Sequence, residues 1–186
     1  MNLSRSLDVP ALRTNQQVHL RPVVLDDCGE LAAAYVRNAE HLSPWEPRRE
    51  PSFFSVSGQE EAIRSKLEQY AAGGEVPWVL LRSGMIVGTM TLSGIVRGPF
   101  LSANLGYWVD SAHAGKGLAK AAVGAVLDMA VGELGLHRVQ AATLVHNAAS
   151  QAVLKRCGFE RIGLAPSYLK IDGKWQDHVL YQRILH

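Results

Sequence analysis

Gly115-Lys116-Gly117 stands between an extended apolar segment, Leu105–Val109, and a stretch with helical spacing. Beyond Ala119, apolar residues fall at Ala122, Val123, Val126, Leu127, Ala130, Val131 and Leu134, one buried stripe of an amphipathic helix. The glycine turn is therefore placed on a helix N-terminus, where unpaired N–H groups and the positive end of the helix dipole converge on an anion. Glycine lets the backbone approach a phosphate closely, and Lys116 adds a movable positive charge. The chemistry this predicts is binding of a phosphorylated cofactor; an ordinary strand-to-helix turn satisfies the same pattern. A dinucleotide fingerprint requires a further glycine where Lys120 stands, and a P-loop requires Ser or Thr where Gly117 stands.

Other chemistries find little support. No HExxH, paired CxxC or carboxylate cluster points to a metal, and no GxSxG points to a serine hydrolase. Asp177-His178 invites an acid–base pair, but neighbours on a strand face opposite ways. Cys28 and Cys157 are far apart and read as buried thiols of a reducing compartment.

The elements that must position the turn follow from periodicity. Residues 1–15 read as a flexible leader and 16–186 as a single domain. Val18–Val23 reads as a strand, Asp27–Glu30 as a capping box, and Leu31, Ala32, Tyr35, Val36 and Ala39 as a helical stripe. Pro44, Pro47 and Pro51 forbid a regular helix, yet Trp45, Phe53 and Phe54 make that segment a lid on the core or a pocket wall. Ser57 is placed to cap the next helix, and strands follow over 77–81, 85–92 and 105–109. Val139, Ala141, Thr143 and Val145 alternate as a strand, a short helix opens after His146, and strands over 159–162 and 178–184 close the chain. This is a mixed α/β (α+β) domain on a mostly antiparallel sheet flanked by helices. With 47% hydrophobic and 19% charged residues among 186, it suits a compact fold. A net charge of +2 implies no broad nucleic-acid footprint, and nothing resembles a signal peptide or membrane span, so a cytoplasmic protein is expected.

Strand 105–109, the turn Ala114–Ala119 and its helix, followed by Asn147-x-x-Ser150, Leu154 and Gly158-Phe159, resemble the GNAT N-acetyltransferases. Pro44-Trp45-Glu46-Pro47, Val96-Arg97-Gly98 and Tyr168–His178 make the likeness greatest to ribosomal-protein-alanine N-acetyltransferases of the RimJ/RimL type, over roughly residues 18–183. The resemblance implies a GNAT fold and direct transfer of acetyl from acetyl-CoA to a primary amine, with no metal. It implies cofactor contacts from Tyr107, Trp108 and Val109 along the pantetheine. His113, Ala114, Gly115, Lys116, Gly117, Leu118 and Ala119 would surround the pyrophosphate, and Asn147 would bond the pantetheine arm. Ala114 departs from the pattern, which usually has Gln or Arg there; His113 is the candidate substitute, and weakened cofactor affinity is expected. Ser150 is the expected donor to the departing sulfur, with a helix-capping role as its alternative, and Glu46 the expected base for the amine. Trp45, Arg97 and Tyr168 are expected to shape the acceptor site. Some RimL-type relatives carry a glutamate where this chain has Ser167, so that base does not transfer.

The acceptor implied is a protein or peptide N-terminal α-amine, a ribosomal protein foremost, whose ordinary pKa near 8 demands less of a base than lysine at about 10.4. Acetylation of a small amine (an antibiotic, polyamine or aminoacylated metabolite) is the same chemistry on another acceptor. A non-catalytic acyl-CoA-binding module is a rival of a different class. The chain is expected to act as a monomer or homodimer without nucleic acid or membrane.

Overall fold

The computed structural model describes residues 2–10 and 17–186. Among the described residues, eight strands form one sheet in the order β1-β2-β3-β4-β5-β6-β8-β7. They are β1 Arg5–Leu7, β2 Val18–Pro22, β3 Glu75–Arg82, β4 Met85–Val96, β5 Ser102–Val109, β6 Arg138–Leu144, β7 Glu160–Ile171 and β8 Lys174–Ile184. Among the same residues, four α-helices accompany them: α1 Cys28–Leu42, α2 Val56–Ala71, α3 Leu118–Gly132 and α4 Ala148–Arg156. Neighbouring strands run antiparallel except β5 and β6, which pair in parallel over Ser102–Asn104 and Arg138–Gln140.

Helices cover both faces of the sheet, which explains why β3 reads as continuous buried residues, Val76–Leu80, rather than alternating ones. On one face Trp78, Leu80, Met90, Leu92 and Leu105 join Leu118, Ala122, Val123, Val126 and Leu127 of α3. On the other, Val79, Ile86 and Trp108 pack with Leu31 and Ala34 of α1 and Ile63 of α2. Alternating side chains of one strand thus feed two cores. The α3 stripe matches the sequence expectation save for Val131, which is exposed, while Met129 is buried in its place.

The expected leader is corrected over its described part. Ser6 and Leu7 pair with His19 and Val18, Leu3 and Leu7 are buried in the α3-side core, and the Trp78 indole donates to Leu3 O at 2.8 Å. Residues 1 and 11–15 of that leader lie outside the described residues. Two caps also differ. Asp27 takes both guanidinium nitrogens of Arg21 (2.7 and 2.8 Å) and the Val24 N–H rather than capping α1, while Glu30 accepts from Ile86 N. Ser55, not Ser57, caps α2 by accepting from Gly58 N at 3.0 Å.

Candidate active site

The sheet splits where its parallel pair ends. After Asn104 opposite Gln140, β5 continues along β4 to Val109, whereas β6 continues along β8 to Leu144. A V-shaped cleft opens between them, and both strands deliver the chain to its mouth: β5 to the glycine turn and α3, β6 to Asn147 and α4. Asp110 N donates to Val87 O at 2.9 Å, and Trp108 O lies against Gly88, so the backbone groups of Trp108 face β4. By antiparallel alternation Tyr107 and Val109 direct theirs into the cleft. This corrects one expectation: Trp108 contributes its side chain, not its backbone, to the region.

Gly115 and Gly117 adopt φ of 71° and 84°, a left-handed backbone that favours glycine. Gly117 caps α3, and the first intrahelical bond runs from Ala121 N to Gly117 O, so the N–H groups of Leu118, Ala119 and Lys120 point out of the helix end. The Leu118 side chain is buried, leaving its backbone to act. Ala114 N–H is already committed to Ser111 O. Lys116 Nζ donates to the neighbouring carbonyl of Ala112 on the surface. His113 is not the exposed substitute for the missing Gln or Arg. It is buried, its Nε2 accepts from Arg82 Nη1 at 2.9 Å, and its Nδ1 faces Asp110 Oδ1 at 3.7 Å. Burial pushes its pKa down, reinforced by Arg82 and Lys116 against Asp110, and its buried place between Arg82 and Asp110 makes it part of the scaffold.

Asp110 is the post to which this scaffold is tied. Its carboxylate accepts from Asn38 Nδ2, Arg37 Nε and Ala112 N, each at 2.9 Å, and Asn38 Oδ1 in turn accepts from Ser111 N. Burial alone would raise the Asp110 pKa; the bonds from Asn38, Arg37 and Ala112 outweigh it and bring it down to about 2. Helix α1 thereby fixes the end of β5 and the entry to the glycine turn.

At the other side of the mouth, Asn147 caps α4 by accepting from Ser150 N at 3.0 Å. The capping role weighed for Ser150 therefore falls to Asn147, and the Ser150 hydroxyl is free for another partner. That partner is Tyr107, with Oη 2.9 Å from Ser150 Oγ. Burial raises the Tyr107 pKa to about 12, although the Ser150 bond acts against it.

The remaining residues stand on the α1/α2 face. Trp108 packs on Tyr35 (ring centroids 5.2 Å apart), and its indole N–H donates to the Tyr35 hydroxyl. Tyr35 rises to about 12 through burial and the nearby Glu46 charge. Glu46 is half-buried; burial raises its pKa, while Arg49 at 3.7 Å opposes that. The Trp45 ring lies 5.5 Å from the His146 ring, and Asp172 N donates to Glu46 O, so the proline-rich segment bridges α1, the cleft mouth and the β7–β8 turn. His178 pairs across with Leu144 and alternates with Val179 and Tyr181 of the α3-side core, which places it on this same face. Its Nδ1 donates to Gln176 O at 2.9 Å, and Tyr168 packs 5.5 Å away. Arg97 does not join them. It donates to Leu134 O beyond the C-terminal end of α3, a helix whose 15 residues span about 22 Å from the glycine turn.

Sequence spacing brought Gly115, Gly117 and Lys116 to one place, and the resemblance brought Asn147, Ser150, Trp45, Glu46 and Tyr168. It missed Tyr35, a mere stripe position on α1, and the Tyr107–Ser150 contact, which joins residues on different elements. Among the described residues no group of His, Cys, Asp and Glu is arranged to hold a metal, and no helix is long and apolar enough to cross a membrane.

The open backbone edge of β5 and the left-handed glycine turn suit the pantetheine and pyrophosphate of coenzyme A. Residues 17–160 match the GNAT acetyltransferase domain. The chain is 35% identical to the ribosomal protein uS5-alanine N-acetyltransferase of Escherichia coli K12, over 93% of this chain and 91% of that protein. Mycobacterium smegmatis RimJ, solved in complex with CoA-disulfide, superposes with a TM-score of 0.91 at 33% identity, covering 97% of this chain and 86% of that one. A ribosomal-protein-S5-alanine acetyltransferase from Vibrio fischeri superposes with a TM-score of 0.89 at 31% identity, covering 98% and 97%.

Proposed function

The chain belongs to the GNAT acetyltransferase family, an enzyme that takes its acetyl group from acetyl-CoA, and from that premise we propose that its acceptor is the N-terminal alanine of a ribosomal protein. The observation that carries this reading is the pairing of an open β5 edge with aromatic side chains on the opposite face, where Trp108 packs on Tyr35, Trp45 lies against His146 and Tyr168 against His178, beside the half-buried Glu46. The likeness to alanine N-acetyltransferases at 35% and 33% identity supports the acceptor class. The chain acts as one catalytic domain that includes β1, in the cytoplasm.

Bound coenzyme A supplies an activated thioester. Val109 and Tyr107 backbone groups would hold the pantetheine as an added strand, and the N–H groups of Gly115 through Lys120 would hold the pyrophosphate, with Lys116 turning from Ala112 O to the phosphate. Asn147 keeps the mouth in shape through its cap on α4 and borders the pantetheine arm. The amine nitrogen attacks the carbonyl carbon, the C–S bond breaks, Glu46 accepts the amine's proton and Ser150 gives one to the departing sulfur. Burial strengthens Glu46 as a base. Because a terminal amine has a pKa near 8, a single carboxylate of this kind suffices.

The test incubates purified protein with acetyl-CoA and a panel of free N-terminal Ala, Ser, Thr and Met peptides, N-blocked lysine peptides and polyamines, read by mass spectrometry. Acetylation confined to α-amines, with Ala preferred, is expected. Acetylation of polyamines alone would overturn the acceptor in favour of a small amine.

A further inference from the structure

Ser150 is held from two sides. Its N–H is bound by Asn147 Oδ1, which fixes the first turn of α4, and Tyr107 Oη lies 2.9 Å from its Oγ and, more distantly, 3.4 Å from its backbone O. Tyr107 comes from the cleft edge of β5, on the side chain face that meets α3 and α4. Nothing in the proposed reaction uses this phenol.

A serine hydroxyl is a poor acid by itself. Surrendering its proton to a thiolate would leave an alkoxide, since an aliphatic hydroxyl is no stronger an acid than water, far weaker than a thiol at about 8.5. The step costs less if Ser150 is given a proton as it releases one, because a phenol, even one raised to about 12 by burial, is a stronger acid than an aliphatic hydroxyl. Of the two hydroxyls, the phenol is the better donor and, with its lone pair drawn into the ring, the poorer acceptor. The 2.9 Å contact is therefore read with Tyr107 donating to Ser150, which turns the serine's own hydrogen away from the ring. Burial keeps the phenol protonated across the working pH range.

We propose that Tyr107 is a positioning residue behind Ser150: it aims the serine proton at the departing sulfur and replaces that proton as it leaves. The inference rests on the reading that Ser150 serves the leaving group. As the C–S bond breaks, sulfur takes the Oγ proton of Ser150 and Oγ takes the Oη proton of Tyr107. The phenolate regains a proton from water before the next turnover. The amine's proton goes to Glu46 and then to solvent, so thioester and amine become amide and thiol with no proton unaccounted for.

Tyr107→Phe, Ser150→Ala and the double variant are compared with the parent protein, using acetyl-CoA and whichever amine of the panel the parent acetylates. Tyr107→Phe is expected to lower kcat about tenfold or more, within the range of general acid catalysis, with KM for acetyl-CoA nearly unchanged. The double variant is expected to be no slower than Ser150→Ala, because the two hydroxyls act as one unit. An impaired Ser150→Ala beside a Tyr107→Phe within twofold of the parent overturns the relay and leaves the Ser150 reading standing. A Ser150→Ala with parental kcat overturns both. Multiplicative losses in the double variant also overturn the relay. If Tyr107→Phe does not fold, proton inventories of the single-turnover rate in mixed H2O and D2O are compared for the parent and Ser150→Ala, because the amine-to-Glu46 proton is common to both. A parent plot that needs two more proton terms than the variant fits the relay, and one that needs a single extra term refutes it.

Discussion

Replacing Asp110 by Asn tests the claim that the glycine turn is held by one buried carboxylate. The group accepts three hydrogen bonds at 2.9 Å and has a pKa lowered from the usual 3.8 to about 2. At 1.36 kcal/mol per pH unit, that interval corresponds to about 2 kcal/mol of native-state stabilisation carried by the charged form. Because the folded pKa is the depressed one, this stability is complete above 3.8, declines as pH falls below it, and is lost once pH has passed through about 2. The amide of Asp110→Asn does not titrate, so the gap between parent and variant isolates the group from every other carboxylate. Urea unfolding followed by tryptophan fluorescence should show the variant less stable by about 2 kcal/mol at neutral pH, with the gap closing progressively in acid. KM for acetyl-CoA should rise as well, because Ala112 and Ser111 are tied to the same post. A gap that stays constant into acid, or one below about 0.5 kcal/mol at neutral pH, would refute the reasoning.

Three further outcomes are expected. Gly117→Trp puts a side chain at φ 84° beside the proposed phosphate site, with nothing within 4 Å of its Cβ to clash; it should stay folded and lose acetyl-CoA affinity by isothermal titration, and retained affinity would show the phosphate site to be elsewhere. Glu46→Gln should slow acetylation most near neutral pH and least in alkali, because a carboxylate base matters while the amine is still largely protonated; an unchanged pH–rate profile sinks that role. Leu7→Ala should cost about 2–4 kcal/mol in urea unfolding, since Leu7 is buried in the α3-side core, and a loss under about 1 kcal/mol would return that segment to the status of a leader.

The glycine turn and α3 were legible because both signals are local: a left-handed backbone needs glycine, and a buried helix face repeats every turn. β1 was not, because three residues carry no periodicity and their reason to be ordered lies 75 positions away, where the Trp78 indole finds Leu3 O. The middle of β7 was equally silent. Its residues are exposed on both faces and its pairing slips between Ala165 and Leu169, so no alternation marks it as strand. His113 misled for a related reason. An exposed-looking loop histidine is indistinguishable in sequence from one locked between Arg82 and Asp110.

What the sequence could not display is that β5 works on four sides at once, two edges and two faces. Trp108 gives its backbone to β4 and its indole to Tyr35 on the α1/α2 face, while Tyr107 gives its backbone to the cleft and its phenol to Ser150 on the α3 side. The pleat makes this division automatic: adjacent residues alternate in both side chain direction and hydrogen-bonding direction. In the proposed reaction, donor and acceptor would therefore approach one strand from opposite faces and meet where the sheet has parted. The Asp110 post matters for the same reason. Immediately after Val109 it clamps the strand to α1, and without that clamp the register that assigns Tyr107 and Trp108 to their separate duties is held at this end only by β4.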